Sequence, residues 1–473
     1  MAQDRRTLFL NGSICRALFV LAAPIVMANV LQAGYQITDA FWVGRLGAEA
    51  VAAVSVSMPV TFLVIAIGSG LAMAGATLTA QYMGAGRQDR VNHVAAQTML
   101  MVTITSVLLG GLGFVLAPYF LALLGVAPEV YQGALGFMRV SFIGVIFVFI
   151  FFMFQSLMRG VGETRIPLLI VLVTVILNFG LDPLLIFGWG PIPALGVQGA
   201  AGATLITQCL AASAGLLVML RGRHGIALSW QLFRPDFNYI KKAFFLGFPG
   251  SVELSTRSLG LMVMSFLAAS FGTLTIAAYG IGSNILQLVT IPAMGLSMSV
   301  STLVGQNIGA GNLQRAAQIT KLGVLIGGAS LTVLGVCAYF TAPAIVAFFV
   351  PDDPNVIREG AHFIQVMALA WGGIAVQLCI ASAFRASGNM VNAMVLALLA
   401  QWMFQFPVAY VLSKHTTLGA SGIWWSLPVT NIAVALVSVC WFARGSWKHT
   451  RITEDEQQTL QVTRETLAEE GFR

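Results

Sequence analysis

Apolar residues run in stretches of about 20 or more along almost the whole chain, broken by short clusters of polar residues, Gly and Pro. Wound as a helix, a stretch of that length crosses about 30 Å of hydrocarbon. Breaking the chain at the clusters predicts twelve helical spans, near 14–40, 50–80, 93–118, 131–158, 165–188, 196–220, 239–267, 275–305, 317–341, 360–385, 391–413 and 419–443. The alternating segments of about ten residues that build a transmembrane barrel are absent. The pattern therefore predicts an all-α polytopic membrane protein. Composition agrees: of 473 residues, 58% are apolar and 9% charged, against roughly 25% charged in soluble proteins. Soluble enzymes, nucleic-acid binders and secreted disulfide scaffolds are excluded on that ground. Arg5-Arg6 precedes an apolar stretch that runs on to about residue 38 without a small-residue cleavage site, so the stretch is the first membrane helix rather than an export signal.

Charge sets the expected topology. Loops on one side collect Arg5, Arg6, Arg16, Arg87, Arg90, Arg159, Arg165, Arg221, Arg223, Arg234, Lys241, Lys242, Arg315, Lys321, Arg385, Arg444, Lys448 and Arg451, and loops on the other hold Arg45, Arg358 and Lys414. The positive-inside rule then places both termini in the cytoplasm, and an even number of spans agrees with their lying on one side. The expected organisation is a cytoplasmic N-terminus (1–13), a six-helix lobe (14–220), a basic cytoplasmic linker (221–238), a second six-helix lobe (239–445) and a polar cytoplasmic tail (446–473). The five cysteines lie in or beside apolar runs without metal spacing and read as small core residues, and the histidines are too scattered for a metal site.

The halves repeat. Thr77-Leu78-Thr79-Ala80-Gln81-Tyr82-Met83-Gly84-Ala85-Gly86 with Arg90 matches Thr302-Leu303-Val304-Gly305-Gln306-Asn307-Ile308-Gly309-Ala310-Gly311 with Arg315, an offset of 225 residues. The same offset pairs Leu21, Pro24 and Gly47 with Leu246, Pro249 and Gly272, and close to it Arg159 and Gly162 pair with Arg385 and Gly388. Six spans per half give both lobes one orientation and a pseudo-two-fold axis along the membrane normal. Facing lobes leave a cleft, and rocking them exposes it to one side at a time. The Gly-Ala-Gly turns lack the spacing and the preceding strand of a phosphate loop, so energy is expected from an ion gradient.

An acid at the bilayer centre costs about 2.5–3.5 kcal/mol, so each one within a span calls for a reason. They are Asp39 in span 1, Asp182 in span 5 and Glu253, which precedes Arg257 by four in span 7. Tyr35 and Asn178 each lie four residues before an Asp, on the same helix face. Span directions bring Thr204 of span 6 to the same depth. Two carboxylates held close in low dielectric cannot both ionise cheaply, so the cluster is expected to take up a proton near neutrality or to coordinate a hard monovalent cation such as Na+. Asp39, Asn178, Asp182 and Thr204 map through the repeat to Met264, Phe404, Val408 and Leu427, so the scaffold is duplicated and the polar cluster is not. Glu253 and Arg257 read as either an internal ion pair or a second coupling or substrate site. Pro24 and Pro249 are candidate bending points. Tyr35, Gln32, Met264 and Met298 are candidates for the substrate cleft, where thioethers repack around varied ligands.

Twelve spans in two parallel lobes, the repeated Gln81/Gln306 and Gly-Ala-Gly turns, Pro24 and Asp39 in span 1, and Asn178-Phe179-Gly180-Leu181-Asp182-Pro183 in span 5 together resemble the multidrug and toxic compound extrusion (MATE) family over about residues 10–445. Aspartates in spans 1 and 5 resemble its DinF-like branch. The resemblance implies that Asp39, Asn178, Asp182 and Thr204 form a cation site and that span 1 bends near Pro24. It also implies export of bulky, often cationic, drug-like compounds from the cell in exchange for H+ or Na+. The NorM-like branch pairs a span 7 glutamate with a span 10 aspartate, and span 10 as drawn here has no acid. The expectation is thus a non-enzymatic, monomeric antiporter of a bacterial inner membrane, surrounded by lipid, with no cofactor beyond the coupling ion and no nucleic-acid partner. Rival readings are a lipid-linked saccharide flippase of the same superfamily, for which Arg257 is the one clear central cation, and an intramembrane aspartyl protease.

Overall fold

The computed structural model describes residues 2–449 apart from 192 and 352, together with residue 452. A short helix, α1 (Ala2–Asn11), precedes six long ones: α2 (Ile14–Gly44), α3 (Ala48–Gly84), α4 (Gln88–Leu123), α5 (Pro128–Gly160), α6 (Arg165–Phe187) and α7 (Val197–Leu220). The second half holds α8 (Phe237–Ala269), α9 (Thr273–Gly309), α10 (Leu313–Phe349), α11 (Pro354–Ala368), α12 (Trp371–Ala386), α13 (Met390–Leu398), α14 (Phe406–Lys414) and α15 (Ala420–Ala443). Among the described residues, eleven helical segments are long and apolar enough to cross a membrane, and α11 with α12 forms a twelfth, bent by 50°. Two glycines after the break let this span press between its neighbours: Gly372 lies on the Gly328 carbonyl of α10 and Gly373 on the Asn431 carbonyl of α15. The span also starts earlier than drawn, taking in Glu359, which accepts from Trp424 Nε1 at 2.9 Å. Span 11 is interrupted by a π turn, Leu399–Gln405, between α13 and α14.

The repeated Gly-Ala-Gly turns are helix ends. Gly86 (φ +75°) and Gly311 (φ +82°) adopt the left-handed conformation that closes α3 and α9. The following amides reach back, Arg87 N to Tyr82 O at 3.0 Å and Asn312 N to Asn307 O at 2.8 Å, which are the long bonds of a Schellman cap. Large apolar side chains such as Phe19, Leu108, Phe340 and Phe348 remain exposed around the helices, as a lipid-facing perimeter requires. Cys15, Cys337 and Cys440 are on that exposed surface, contrary to the expectation of core cysteines, and Cys379 is buried.

The helix that opens each lobe is shared between lobes. Ala17, Leu18 and Leu21, before Pro24, pack into a core with Val300, Leu303 and Phe384 of the second lobe. Reciprocally Ala243, before Pro249, packs into the core of the first lobe. Close approach is bought with small residues: a side chain on Gly295 would overlap Val26, and one on Gly70 would overlap Ser251. Both helices run unbroken through their prolines.

At the basic end the lobes are sealed by a two-fold set of contacts. Gln81 Nε2 donates to Ala386 O and Gln306 Nε2 to Gly160 O, each at 2.8 Å. A methyl group on Gly84 would overlap the Gln306 carbonyl, and one on Gly309 the Gln81 carbonyl. Helix α1 lies across this seam: Asn307 Nδ2 and Arg315 Nε donate to Phe9 O, while the Phe9 ring covers Gly162. The chain beyond 445 joins the seal rather than leaving it, because Trp447 is buried against Phe442 and Ile452 N donates to Gln81 Oε1 at 3.1 Å. The acidic remainder of the tail lies outside the described residues. Among the described residues, no cross-lobe hydrogen bond lies nearer the opposite face than Ser251 Oγ to Ile67 O.

The seal yields a direct test. In a background lacking the native cysteines, a cysteine at Thr77, one turn behind Gln81, is expected to resist an impermeant thiol reagent applied from the basic side. The double variant Gly84→Ala, Gly309→Ala is expected to become labelled, because each methyl displaces a carbonyl of the facing helix. Equal protection in both proteins would contradict the assigned seal.

Candidate functional site

The acidic cluster assembles in the half of the first lobe remote from the basic end. Trp42 of α2 packs edge-on against Phe179 and Phe187 of α6, with centroids 6.3 and 6.1 Å away. Val43, Ile186 and Ala200 form a small core beside them. A side chain at Gly199 would overlap the Leu185 carbonyl, so α7 lies directly on α6. These contacts bring three helices together at one depth.

Within that frame Asn178 and Asp182 are fully buried and Asn178 Nδ2 donates to Asp182 Oδ1 at 3.0 Å. Asp39, half-buried, places its carboxyl within hydrogen-bonding reach of that of Asp182. The Tyr35 hydroxyl reaches Thr204 and lies 3.0 Å from Thr207 Oγ1. Asp39, Asn178, Asp182, Thr204 and Tyr35 thus meet, joined by Thr207, which the sequence reading did not single out although it follows Thr204 by one turn. Three buried oxygens of this cluster, Asp39 Oδ1, Asp182 Oδ2 and Asn178 Oδ1, have no donor among the described residues. Buried acceptors are normally satisfied, so a set of this kind is chemically suited to a proton or a cation. In the second lobe the equivalent Met264 and Leu427 are core residues. Met264 is therefore not on the cleft, and Tyr35 is 6% exposed within the polar cluster rather than on a cleft wall. Gln32 is half-buried on α2, outside the lining of the cavity described next.

That cavity, of about 220 Å³, lies between the lobes just behind the seal. Met298 lines it with Met73, Met294, Phe152, Leu254 and Leu378. Its charged groups differ from the sequence expectation. Arg385, assigned above to a loop, is buried and holds Glu253 in a two-pronged pair, Nη1 to Oε1 at 2.8 Å and to Oε2 at 3.1 Å. Arg257 Nη2 reaches the same Oε1 at 3.4 Å. Arg159, also assigned to a loop, lines the same cavity. Glu359 of α11 is bonded to Trp424 rather than to this group. Glu253 and Arg257 do pair, within a larger group whose principal cation is Arg385. The available signal was the motif Ser156-Leu157-Met158-Arg159, repeated as Ser382-Ala383-Phe384-Arg385.

Two pseudo-symmetric six-helix lobes around a central cavity, sealed at one end, are an arrangement in which many membrane transporters are built. The MatE family model matches residues 24–184 and 249–411, one stretch in each lobe, and the chain belongs to that family. Relatives include YoeA of Bacillus subtilis, described as a probable multidrug resistance protein, 29% identical over 93% of this chain and 96% of its own. The FAD transporter of Shewanella oneidensis is 28% identical over 92% and 95%. Among solved structures, a multidrug resistance MATE family transporter in an outward-facing conformation superposes with a TM-score of 0.86 at 21% identity, covering 94% of this chain and 98% of that one.

The hydroxyl pair that ties α2 to α7 is measurable. Tyr35→Phe and Thr207→Val are each expected to lower stability by about 1 kcal/mol. The double variant should lose less than the sum, since both remove one shared bond. Additive losses in thermal melts would show that the hydroxyls do not interact.

Proposed function

We propose that this protein is a secondary active antiporter that exports bulky organic compounds across the bacterial cytoplasmic membrane in exchange for H+ or Na+, with the basic face in the cytoplasm. The observation that carries the reading is the acid pair, Asp39 and Asp182, with acceptor oxygens that lack donors. A proton would bridge the two carboxyls, and Na+ would find carboxylate, amide and hydroxyl oxygens from Asp39, Asp182, Asn178 and Thr204. Occupation of the site draws α2 onto α6, while the first half of α2 stays packed in the second lobe. An ion bound on one half of this helix therefore bears on the relation between lobes, and Pro24 is where the strain is absorbed. Coupling follows if the cation binds the two states unequally.

Asn178-Phe179-Gly180-Leu181-Asp182-Pro183 supports a DinF-like assignment. The pairing of Glu253 with Arg385 supports it further, because a carboxylate already neutralised by two guanidiniums offers little to a second coupling cation. Family membership supports transport over peptide cleavage.

In vesicles carrying the purified protein, efflux of a fluorescent substrate is expected under an imposed pH or sodium gradient, each applied separately. Asp39→Asn and Asp182→Asn should each abolish gradient-driven efflux while the protein still inserts and folds. Unaltered transport in both variants would end the reading.

A further inference from the structure

We propose that the central cavity takes an organic anion, an amphiphile bearing a phosphate or carboxylate that docks on Arg159. The proposal rests on the transport reading and adds the substrate's charge to it. It runs against the cationic compounds that the family resemblance led us to expect.

The two lobes differ at one pair of equivalent arginines. Each contributes a Ser-x-x-Arg turn at the end of a helix, and in each the guanidinium donates to its own serine: Arg159 Nη2 to Ser156 Oγ at 2.6 Å, Arg385 Nη2 to Ser382 Oγ at 2.8 Å. In the second lobe a carboxylate completes the arrangement, Glu253 with Arg385. Through the offset of 225 residues, the position of Glu253 corresponds to Ala28. Arg159 therefore lacks the partner that its counterpart has, and among the described residues it makes no ion pair.

The cavity lining thus holds three guanidiniums, Arg159, Arg257 and Arg385, against the single carboxylate of Glu253, a surplus of two positive charges. The last turn of α5 favours a cation by about 0.3–1 kcal/mol through the helix dipole. Beyond Ser156 the described residues offer this guanidinium no hydrogen-bond acceptor, so most of its five N–H groups are left to the contents of the cavity. An incoming anion supplies what the missing carboxylate would. The planar guanidinium forks onto phosphate or carboxylate, and Met73, Met294, Met298 and Phe152 receive the apolar part. A volume of about 220 Å³ behind the seal suits the acidic end of such a molecule.

Equilibrium binding to the full-length protein in nanodiscs, with no gradient, tests this. Carboxyfluorescein is the anionic probe and ethidium the cationic one. Carboxyfluorescein is expected to bind, Arg159→Gln to weaken it about tenfold or more, and Arg159→Lys to recover part of the loss. Ala28→Glu, which keeps Arg159 but supplies the carboxylate that mirrors Glu253, should weaken the anion to a similar degree and admit ethidium. Tighter binding of ethidium than of carboxyfluorescein by the parent protein, binding of neither, or indifference of carboxyfluorescein to both Arg159→Gln and Ala28→Glu would overturn the proposal. Competition by benzyl phosphate supports a soluble anion and stronger competition by a short-chain polyprenyl phosphate supports a lipid-borne one, whereas competition by neither also counts against it. Because no gradient is applied, failure here leaves ion-coupled transport standing, and loss of gradient-driven efflux in Asp39→Asn does not bear on this result.

Discussion

Charge inside a membrane protein has to be met by an opposite charge, by a proton or by a full set of hydrogen bonds. Among the described residues, two places of opposite sign stand out against that requirement. In the first lobe, Asp39 and Asp182 bring two carboxyl groups together, and one oxygen of each has no donor among the described residues. Nearer the basic end, Arg159 faces the cavity without an acid. The second lobe shows how each place looks when the requirement is removed or met. Its counterparts of Asp39 and Thr204 are apolar and buried, and its counterpart of Arg159 is paired with Glu253. Since the two lobes share one scaffold, the differences isolate positions where one copy has given up self-sufficiency, and both fall in the first lobe.

Much of this was legible in the residues. Spans of 20 or more apolar residues needed only the thickness of hydrocarbon, and the repeat needed only a constant offset between Gln81 and Gln306 or between Pro24 and Pro249. The acid cluster was legible because helical spacing places Asn178 under Asp182 and Tyr35 under Asp39. The arginines of the cavity were not. Counting Lys and Arg by loop assigns the last turn of α5 and of α12 to the basic face. The seal lies farther out, because α3 and α9, at 37 residues each and about 55 Å long, project beyond the hydrocarbon before they are capped. Residues that look like loop charges are therefore enclosed. The break in span 10 was hidden for a related reason. Its apolar composition is continuous through Leu369 and Ala370, and the glycines that permit the bend act through contacts with α10 and α15 that no local pattern reveals.

Helix α2 joins the two unmet charges. Asn29 lines the cavity, and Asp39 lies ten residues further along the same helix, about 15 Å away. Between Pro24 and the acid pair, Asn29 lines the cavity while Tyr35 is bonded to Thr207 of the first lobe. Events at the two sites therefore need no chain of intervening residues to influence one another. The rigid element is the helix itself, and its first half is fixed in the opposite lobe.

The sign of the cargo then decides the energetics of exchange. Moving one elementary charge across the membrane is worth about 2.3 kcal/mol per 100 mV. Swapping an inbound monovalent cation for an outbound monovalent cation moves no net charge, so only the ion's concentration gradient drives it. If the outbound molecule is instead a monovalent anion, both movements carry positive charge inward. An interior-negative potential then contributes about 4.6 kcal/mol per cycle at 100 mV. On the proposed roles, an arginine without an acid partner in the cavity and an acid pair elsewhere in the same lobe would act in the same electrical sense. On those roles an interior-negative potential drives the cation inward and the anion outward.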